Sequence, residues 1–454
     1  MKDQTSHTIS VIGAGYVGLT TAVLLAQTGF KTYLIEINPE RLKVIKQGRS
    51  FFFEEGLDPL IKSSLDGGLL MPVDSQDAAV PESDFVFSCV GTPDNPDGSS
   101  NLSYVFAAAE EAAKLMKVGT TFIQKSTVPV GTGAKIEEMF AADGKGLLYV
   151  SNPEFLREGT AIADSLWPDR IVVGGQDRQA ADEVIGLYKA IEKKRETIAA
   201  KAGIKSSSGV ETQEFITGRN SAELIKVTAN AFLALKISFA NSIAKLADQA
   251  AADVEEVMEA VGSDRRIGQA FLHAGRGYGG GCFPKDVSGL IRSAEDYGVA
   301  MEIMNAAAEV NESMPHYVIK RLSDKFGGSF DGRRVAVLGL AFKAGTSDTR
   351  RSPAITIANS LQKMGAQVAA YDPEAEEEAR PDLHPSIEVK DSAHGCLDGA
   401  EAVVIATDWP QFKSLDLKET KRLMSGKLIL DGMNALEPGL VKKAGLEYLG
   451  VGRS

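Results

Sequence analysis

The run Gly275-Arg276-Gly277-Tyr278-Gly279-Gly280-Gly281-Cys282-Phe283-Pro284-Lys285-Asp286 sets a thiol close to an amine and a carboxylate. A cysteine in that company can be held as thiolate and can exchange its proton with a neighbour, which is what covalent catalysis requires. So many glycines let the backbone pass close to a ligand and offer their amides to it. The same residues also fit an inert, buried cysteine in a glycine-rich turn.

A second run, Gly13-Ala14-Gly15-Tyr16-Val17-Gly18, directly follows the strand-like Thr8–Ile12 and opens a helix that stops before Gly29. Gly13 permits the tight turn, Gly15 lets a pyrophosphate approach the backbone, and Gly18 allows close packing of helix on strand. The helix N-terminus stabilises phosphate charge. A further strand delivers Glu36, which can accept from both ribose hydroxyls and would repel a 2′-phosphate, so the expected dinucleotide is NAD. The glycine fingerprint alone would also suit FAD.

These runs need a scaffold. Thr8–Ile12, Thr32–Ile35, Phe85–Cys89, Thr121–Gln124, Leu148–Ser151 and Ile171–Val173 read as strands alternating with helical patterns, which predicts a parallel sheet flanked by helices. From about Ser221 to Ala251 the chain reads as one long helix, free of Gly and Pro, and more helix follows to roughly Val310. A second α/β pattern starts near Arg334, with strands at Val335–Leu338, Val368–Tyr371, Ala402–Ala406 and Leu428–Leu430. Ser352-Pro353 reads as a helix N-cap and first turn, and Gly365 as that helix's end. Lys193–Gly218 is charged, Ser-rich and aperiodic, and reads as a surface loop. The fold class expected is α/β: two Rossmann-like, doubly wound parallel-sheet domains joined by a long central helix and a helical domain. The corresponding divisions are 1–218, 219–315 and 316–454.

Composition narrows the function classes. The chain has 454 residues and a formal net charge of −12, which argues against a general nucleic-acid surface. Three cysteines cannot make a disulfide framework and fit a reducing, cytoplasmic setting. Five histidines without zinc-type spacing give no metal site. The apolar stretch Ile9–Ala26 is broken by glycines and is not followed by a cleavage site, and no other segment offers an unbroken apolar span of membrane length. Cys89 and Cys396, at the ends of apolar or small-residue runs, read as structural.

The chain resembles the UDP-glucose/GDP-mannose dehydrogenase family almost end to end. Besides the cysteine run it carries Val90-Gly91-Thr92-Pro93, Lys125-Ser126-Thr127-Val128-Pro129-Val130-Gly131-Thr132 and Asn152-Pro153-Glu154-Phe155-Leu156-Arg157-Glu158-Gly159. Glu223-Leu224-Ile225-Lys226, Asn230-Ala231-Phe232-Leu233-Ala234 and Asp264-Arg265-Arg266-Ile267-Gly268 follow. Ala341-Phe342-Lys343 and Asp348-Thr349-Arg350 complete the series.

The resemblance implies a four-electron oxidation of a nucleotide sugar's C6 alcohol to a carboxylate, using two NAD molecules in turn. Cys282 would hold the aldehyde as a thiohemiacetal and then as a thioester. Lys226 and Asn230, four apart on the long helix and so on one face, would stabilise the oxyanion at C6. Asp286 would be the acid/base residue, and Glu154 and Thr127 would position the hydrolytic water. Tyr16, Val17, Arg41, Thr92, Thr127, Glu158, Lys285 and Arg350 would join Gly13, Gly15, Gly18 and Glu36 around NAD. Glu154, Phe155, Leu156, Lys226, Asn230, Phe271, Tyr278, Gly279 and Lys343 would bind the substrate, with Arg266 offered across a homodimer interface.

The residues also allow plainer roles. Glu154 and Glu158 could be helix-start carboxylates, Lys226 could snorkel from an apolar helix, Thr127 could cap a turn, and Arg266 and Arg350 could form surface ion pairs. Three positions depart from the family's pattern: Gly281 where serine is usual, Arg351 where an acid is usual, and Met433 where arginine is usual. Tyr278 and Phe283-Pro284-Lys285-Asp286 look like the UDP-glucose branch, with GDP-mannose or a UDP-N-acetylhexosamine as alternatives. The rivals from other classes are a two-electron hydroxyacid dehydrogenase, which needs no Cys282, and a non-catalytic sugar-nucleotide-binding protein.

Overall fold

The computed structural model describes residues 7–206 and 211–453. They form two compact units, which divide at residues 229 and 230.

The first unit is built on eight strands: β1 (Thr8–Ile12), β2 (Lys31–Ile35), β3 (Leu70–Val73), β4 (Phe85–Ser88), β5 (Thr121–Gln124), β6 (Leu148–Ser151), β7 (Arg170–Gly175) and β8 (Gln213–Thr217). Their order is β3-β2-β1-β4-β5-β6-β7-β8. The first six strands are the doubly wound arrangement, in which the winding reverses between β1 and β4 and opens a crevice at their carboxyl ends. Strand interiors such as Ile9, Val11, Phe87 and Val150 are wholly or almost wholly buried, as a sheet covered on both faces demands. One expectation needs correcting: β7 runs antiparallel to β6, with Val150 opposite Gly175 and Ser151 opposite Gly174. Gly174 is required there, because a Cβ would lie 2.4 Å from that of Ala222 at the start of the long helix.

The surface loop expected at Lys193–Gly218 is mostly regular structure. A helix runs from Arg178 to Ala202 and β8 occupies Gln213–Thr217; residues 207–210 lie outside the described part. Asp177 caps the helix by accepting from the Ala180 amide, and Gly203 ends it in the left-handed conformation (φ 72°). Ile191, Ile198, Ala199 and Ala202 are buried at helical spacing. The charged turn Lys193-Lys194-Arg195-Glu196 hides that period in the sequence.

The second unit repeats the doubly wound design in six strands: β9 (Arg334–Leu338), β10 (Gln367–Tyr371), β11 (Glu388–Val389), β12 (Ala402–Ile405), β13 (Leu428–Asp431) and β14 (Glu447–Leu449). The order β11-β10-β9-β12-β13-β14 matches the first six strands of the other sheet, and every pair is parallel. Ser352 caps the helix Pro353–Lys363 through the Ala354 amide, and Gly365 follows with φ 94°, as the sequence predicts. The helix Glu302–Lys325 overruns the expected end near Val310 and passes through Pro315. Burial of Met314, Val318, Ile319 and Leu322 along one face offsets the backbone bond that proline cannot make.

The long helix is Arg219–Ala250, two residues longer at its start than the sequence suggests. By length and composition it could cross a membrane, although only its most apolar window qualifies, 44% of it is buried, and Lys226, Lys236 and Lys245 punctuate the helix.

If residues 193–202 are packed helix, Ile198→Ala, at a position 1% exposed, lowers stability by roughly 2–5 kcal/mol in chemical denaturation. A loss below about 0.5 kcal/mol, the value ordinary for a surface site, would restore the loop.

Candidate functional site

In the first unit the glycine fingerprint has the geometry its chemistry needs. Gly13 adopts φ +92°, and a Cβ there would lie 2.9 Å from the Cys89 carbonyl oxygen. A Cβ on Gly18 would fall 1.8 Å from the Gly13 oxygen and 3.0 Å from the Cys89 Cβ, so this position packs helix on strand. A Cβ on Gly15 would meet nothing within 4 Å, which leaves its backbone open to a ligand at the start of the helix Tyr16–Thr28. Val17 packs against the core behind it. Glu36 directly follows β2, is 6% exposed and accepts from the Asn38 amide at 2.8 Å through one oxygen. Thr92, 8% exposed, lies just beyond β4.

An aromatic segment absent from the sequence reading flanks this crevice. Tyr16 stacks on Phe52 with ring centroids 4.0 Å apart and donates to the Phe53 carbonyl, and the Arg41 guanidinium lies 4.8 Å from the Phe51 ring. The residues around Gly13 and Gly15 therefore fit an extended dinucleotide, held by backbone amides at the phosphates and by Glu36 at the ribose.

Thr127 and the Glu154–Glu158 segment occupy the loops after β5 and β6, each fastened by a buried carboxylate. Glu223 accepts from the Gly131 and Gly133 amides, both at 2.8 Å, fixing the loop that carries Thr127. Glu54 accepts from the Gly159 amide at 2.8 Å and the Ile162 amide at 3.4 Å, fixing the end of the loop that carries Glu154, Phe155, Leu156 and Glu158. Neither anchor was legible in the sequence, since their partners lie 90 and 105 residues away. Burial raises the carboxyls of both, that of Glu54 to about 7 against the pull of the Gly159 and Ile162 amides. Asp164, itself paired with Arg157, adds repulsion at Glu54.

Lys226 does not snorkel. Its side chain is 4% exposed and its Nζ pairs with Glu154 Oε1 at 2.9 Å, while Glu154 Oε2 accepts from the Leu156 amide at 2.7 Å. The ammonium also lies 5.5 Å from the Phe155 ring, whose other company is the Arg170 guanidinium at 3.9 Å. Glu154 and Glu158 lie in a loop rather than in a helix, and both are 9% exposed.

In the second unit, Asp286 is the hub. Its Oδ2 accepts from Asn230 Nδ2 at 2.6 Å and its Oδ1 pairs with Lys285 Nζ at 2.7 Å, with 3% of the carboxylate side chain exposed. Asp286 lies in the first turn of the helix Phe283–Asp296, and Cys282 is that helix's N-cap with its residue exposed. A thiol at a helix N-terminus meets the positive end of the dipole, which favours thiolate. Cys89 and Cys396 are the opposite case: both are buried, and burial pushes each thiol up to about 12. Tyr278 and Phe271 converge on Phe283, each with ring centroids 5.9 Å away, and Phe271 takes the left-handed backbone (φ 66°) to do so.

The glycines before Cys282 serve packing on the chain itself. A Cβ on Gly279 would lie 2.4 Å from the Arg351 carbonyl oxygen, one on Gly280 would lie 2.8 Å from the Phe342 ring, and one on Gly281 would lie 2.4 Å from the Arg350 guanidinium carbon. Gly281 thus leaves room for Arg350, which also chelates Asp348 through Nε (2.8 Å) and Nη2 (2.6 Å). Arg351 is in left-handed conformation (φ 49°), and Met433 lies beside Gly275. Lys343 Nζ is 5.6 Å from the Phe342 ring, and Arg266 pairs with Asp264 with 88% of its side chain exposed. The described residues hold no group of three or more metal-ligating side chains.

A doubly wound sheet whose first crossover carries an open glycine cradle, followed by an acid just after β2, defines a dinucleotide-binding unit. Residues 7–192 match the NAD binding domain of the UDP-glucose/GDP-mannose dehydrogenase family, 220–313 its central domain, and 336–438 its UDP binding domain. A UDP-glucose 6-dehydrogenase of Rhizobium meliloti (strain 1021) is 39% identical over 98% of this chain and 99% of its own length. UDP-glucose 6-dehydrogenase YwqF of Bacillus subtilis (strain 168) is 37% identical over 98% of this chain and 97% of its own. A solved UDP-glucose dehydrogenase of Pyrobaculum islandicum superimposes with a TM-score of 0.88 at 38% identity, covering 100% of this chain and 99% of that one. The chain belongs to the UDP-glucose/GDP-mannose dehydrogenase family and is an NAD-dependent nucleotide-sugar dehydrogenase.

Two measurements test this geometry. Gly15→Ala leaves thermal stability near wild type but weakens NAD binding at least tenfold in calorimetry, whereas Gly18→Ala destabilises by roughly 1–3 kcal/mol through overpacking; equal behaviour of the two would remove the distinction drawn here. Glu54 supplies a pH test. The folded chain holds its proton more tightly than the unfolded chain, so stability falls as pH rises from about 4.5 to about 7, the unfolded and folded values. Replacing it with isosteric, neutral Gln flattens that part of the pH–stability curve by ~1–3 kcal/mol. Parallel curves for wild type and Glu54→Gln would refute it.

Proposed function

We propose that the chain oxidises the C6 alcohol of UDP-glucose to the carboxylate of UDP-glucuronate in two two-electron steps. The observation that carries this reading is the cluster Asn230–Asp286–Lys285 on and against the helix whose N-cap is Cys282. A single alcohol oxidation has no use for a nucleophile, whereas retaining an aldehyde for a second oxidation does.

NAD, held at Gly13–Gly18 and Glu36, supplies the hydride acceptor for both steps. The alcohol loses a hydride and a proton to become an aldehyde. The Cys282 thiol adds to the aldehyde carbon, and the resulting thiohemiacetal loses a second hydride and its hydroxyl proton to leave a thioester. Water then breaks the C–S bond, giving the acid and the free thiol back. Lys226 and Asn230, four residues apart on one helix face, stabilise negative charge on the C6 oxygen. Asp286, kept in hydrogen-bond contact with Asn230 and Lys285, exchanges protons with the thiol or the water. Glu154 and Thr127 orient the water; the anchors Glu54 and Glu223 hold the loops they stand on.

The sugar is assigned from Tyr278 and the Phe283–Asp286 run, with the names of the relatives in support. GDP-mannose and the UDP-N-acetylhexosamines are the alternatives. We also read three functional divisions, 1–218, 219–315 and 316–454, with the UDP moiety on the last, and a cytoplasmic homodimer. Phe232, Phe239 and Leu246 support the dimer: they are 59%, 49% and 63% exposed at seven-residue spacing on one face of the long helix. The three cysteines, with none paired to another, accord with the compartment.

The experiment is stoichiometric. Wild type releases two NADH per UDP-glucose consumed and GDP-mannose supports turnover at least tenfold more slowly; one NADH per sugar would reject the covalent scheme. Cys282→Ala retains NAD binding but loses acid formation by at least a thousandfold, and normal acid formation by this variant would reject it independently.

A further inference from the structure

Arg276 is a charged side chain with 0% exposure, set six residues before Cys282. Its neighbours are neutral oxygens. Nε donates to the Ala406 carbonyl, and Nη2 lies 3.2 Å from the Ala341 oxygen, 3.0 Å from the Phe342 oxygen and 3.3 Å from Thr407 Oγ1. Its backbone amide donates to the Gly432 oxygen at 2.8 Å. One residue thereby joins the loops that leave β9, β12 and β13 to the cysteine run. Nη1 is buried with no acceptor. Burial lowers the guanidinium to about 10, against the more distant charges of Asp408 and Asp372.

Such a group is expensive as cement. A buried cation met only by neutral acceptors is less favourable than an apolar side chain of equal volume, so packing alone does not account for it. Its position does. The winding of the second sheet reverses between β9 and β12, and the crevice outside the carboxyl ends of those strands is where a doubly wound sheet takes its ligand. Arg276 grips both loops bordering that crevice, and an incoming diphosphate brings the counter-charge that the guanidinium lacks. Beyond Arg276 the run to Cys282 makes two further close contacts with the loop after β9. Gly280 donates to the Arg350 oxygen at 2.8 Å, and Gly279 abuts the Arg351 carbonyl so closely that no side chain fits.

We propose that Arg276 is a positioning residue that couples occupancy of the β9/β12 crevice by a nucleoside diphosphate to the setting of the Cys282 thiol. The coupling rests on the reading of Cys282 as the reactive thiol and of the second sheet as the nucleotide site. By linkage it acts in both directions: the diphosphate orders the cysteine run, and the ordered run tightens the diphosphate.

The test uses the full chain, UDP as the probe, and iodoacetamide alkylation of Cys282 followed by peptide mass spectrometry; Cys89 and Cys396 are silent because they are buried. UDP carries no hexose, so it leaves the C6 position uncovered. Saturating UDP, its binding measured by calorimetry, slows wild-type alkylation about fivefold, the low end of allosteric couplings. In Arg276→Met, saturated at its own Kd, the ratio falls to within twofold of unity, and Arg276→Lys recovers part of it. Protection in Arg276→Met equal to wild type would show simple coverage of the thiol and overturn the proposal. So would an unchanged wild-type rate with UDP bound. Absence of UDP binding to wild type would overturn the nucleotide-site reading as well. Should Arg276→Met not fold, hydrogen exchange of residues 275–282 in wild type decides: UDP slows it, and equal exchange with and without UDP rejects the coupling.

Discussion

A polar group taken out of water must be met by a partner, and the arrangement of this protein's loops follows from how its buried carboxyl groups are met. Glu223 is met by the Gly131 and Gly133 amides, Glu54 by those of Gly159 and Ile162, and Glu154 by Lys226 and the Leu156 amide. Each solution pins a strand-end loop to a distant element. A loop held by one surface hydrogen bond would open readily; one whose release strands a buried carboxylate opens only at a cost of several kcal/mol. The loops after β5 and β6 are therefore tied down beside the residues they present.

The second unit applies the same rule to a different end. Asp372, just after β10, holds the place in its sheet that Glu36 holds just after β2. Its oxygens accept from the Leu340, Ala341, Glu374 and Ala375 amides and from the Trp409 indole, and its exposure is 2%. A carboxylate so fully engaged has no acceptor left for a ribose. Two sheets that share a six-strand order thus belong to an NAD binding and a UDP binding domain: in one the acid follows an open glycine cradle, and in the other it is spent on the loops around it.

The family membership and the geometry together constrain the chemistry more tightly than either alone. Membership establishes NAD and a nucleotide sugar. The geometry adds why an exposed thiol sits at a helix N-cap while two other thiols are buried, and why the helix behind it starts with a lysine–carboxylate pair tied to an amide. Gly281 lies against the Arg350 guanidinium, which a Cβ there would displace.

Much of the scaffold was legible in the residues. The fingerprint Gly13–Gly18, the acid Glu36, the cap Ser352-Pro353 and most of the strands are local features, set by φ preferences, side-chain period and capping, so they survive without knowledge of the fold. What the sequence hid was non-local. The end of the helix Arg178–Ala202, from Lys193 on, looked like a loop because its packed face emerges only when the sheet is present to bury Ile191 and Ile198. The antiparallel pairing of β7 with β6 is a contact between strands that no local pattern records, and the helix Glu302–Lys325 outlasts Pro315 because one face is buried. Residue types alone determined that a thiol, an amine and a carboxylate lay close in the chain, and that a dinucleotide had a place to bind. Only the tertiary structure decided that Asp286 is shared by Asn230 and Lys285, that Lys226 is paired with Glu154, and that Arg276 is wholly buried. Those facts depend on groups far apart in sequence being brought together and stripped of water, which no local spacing records.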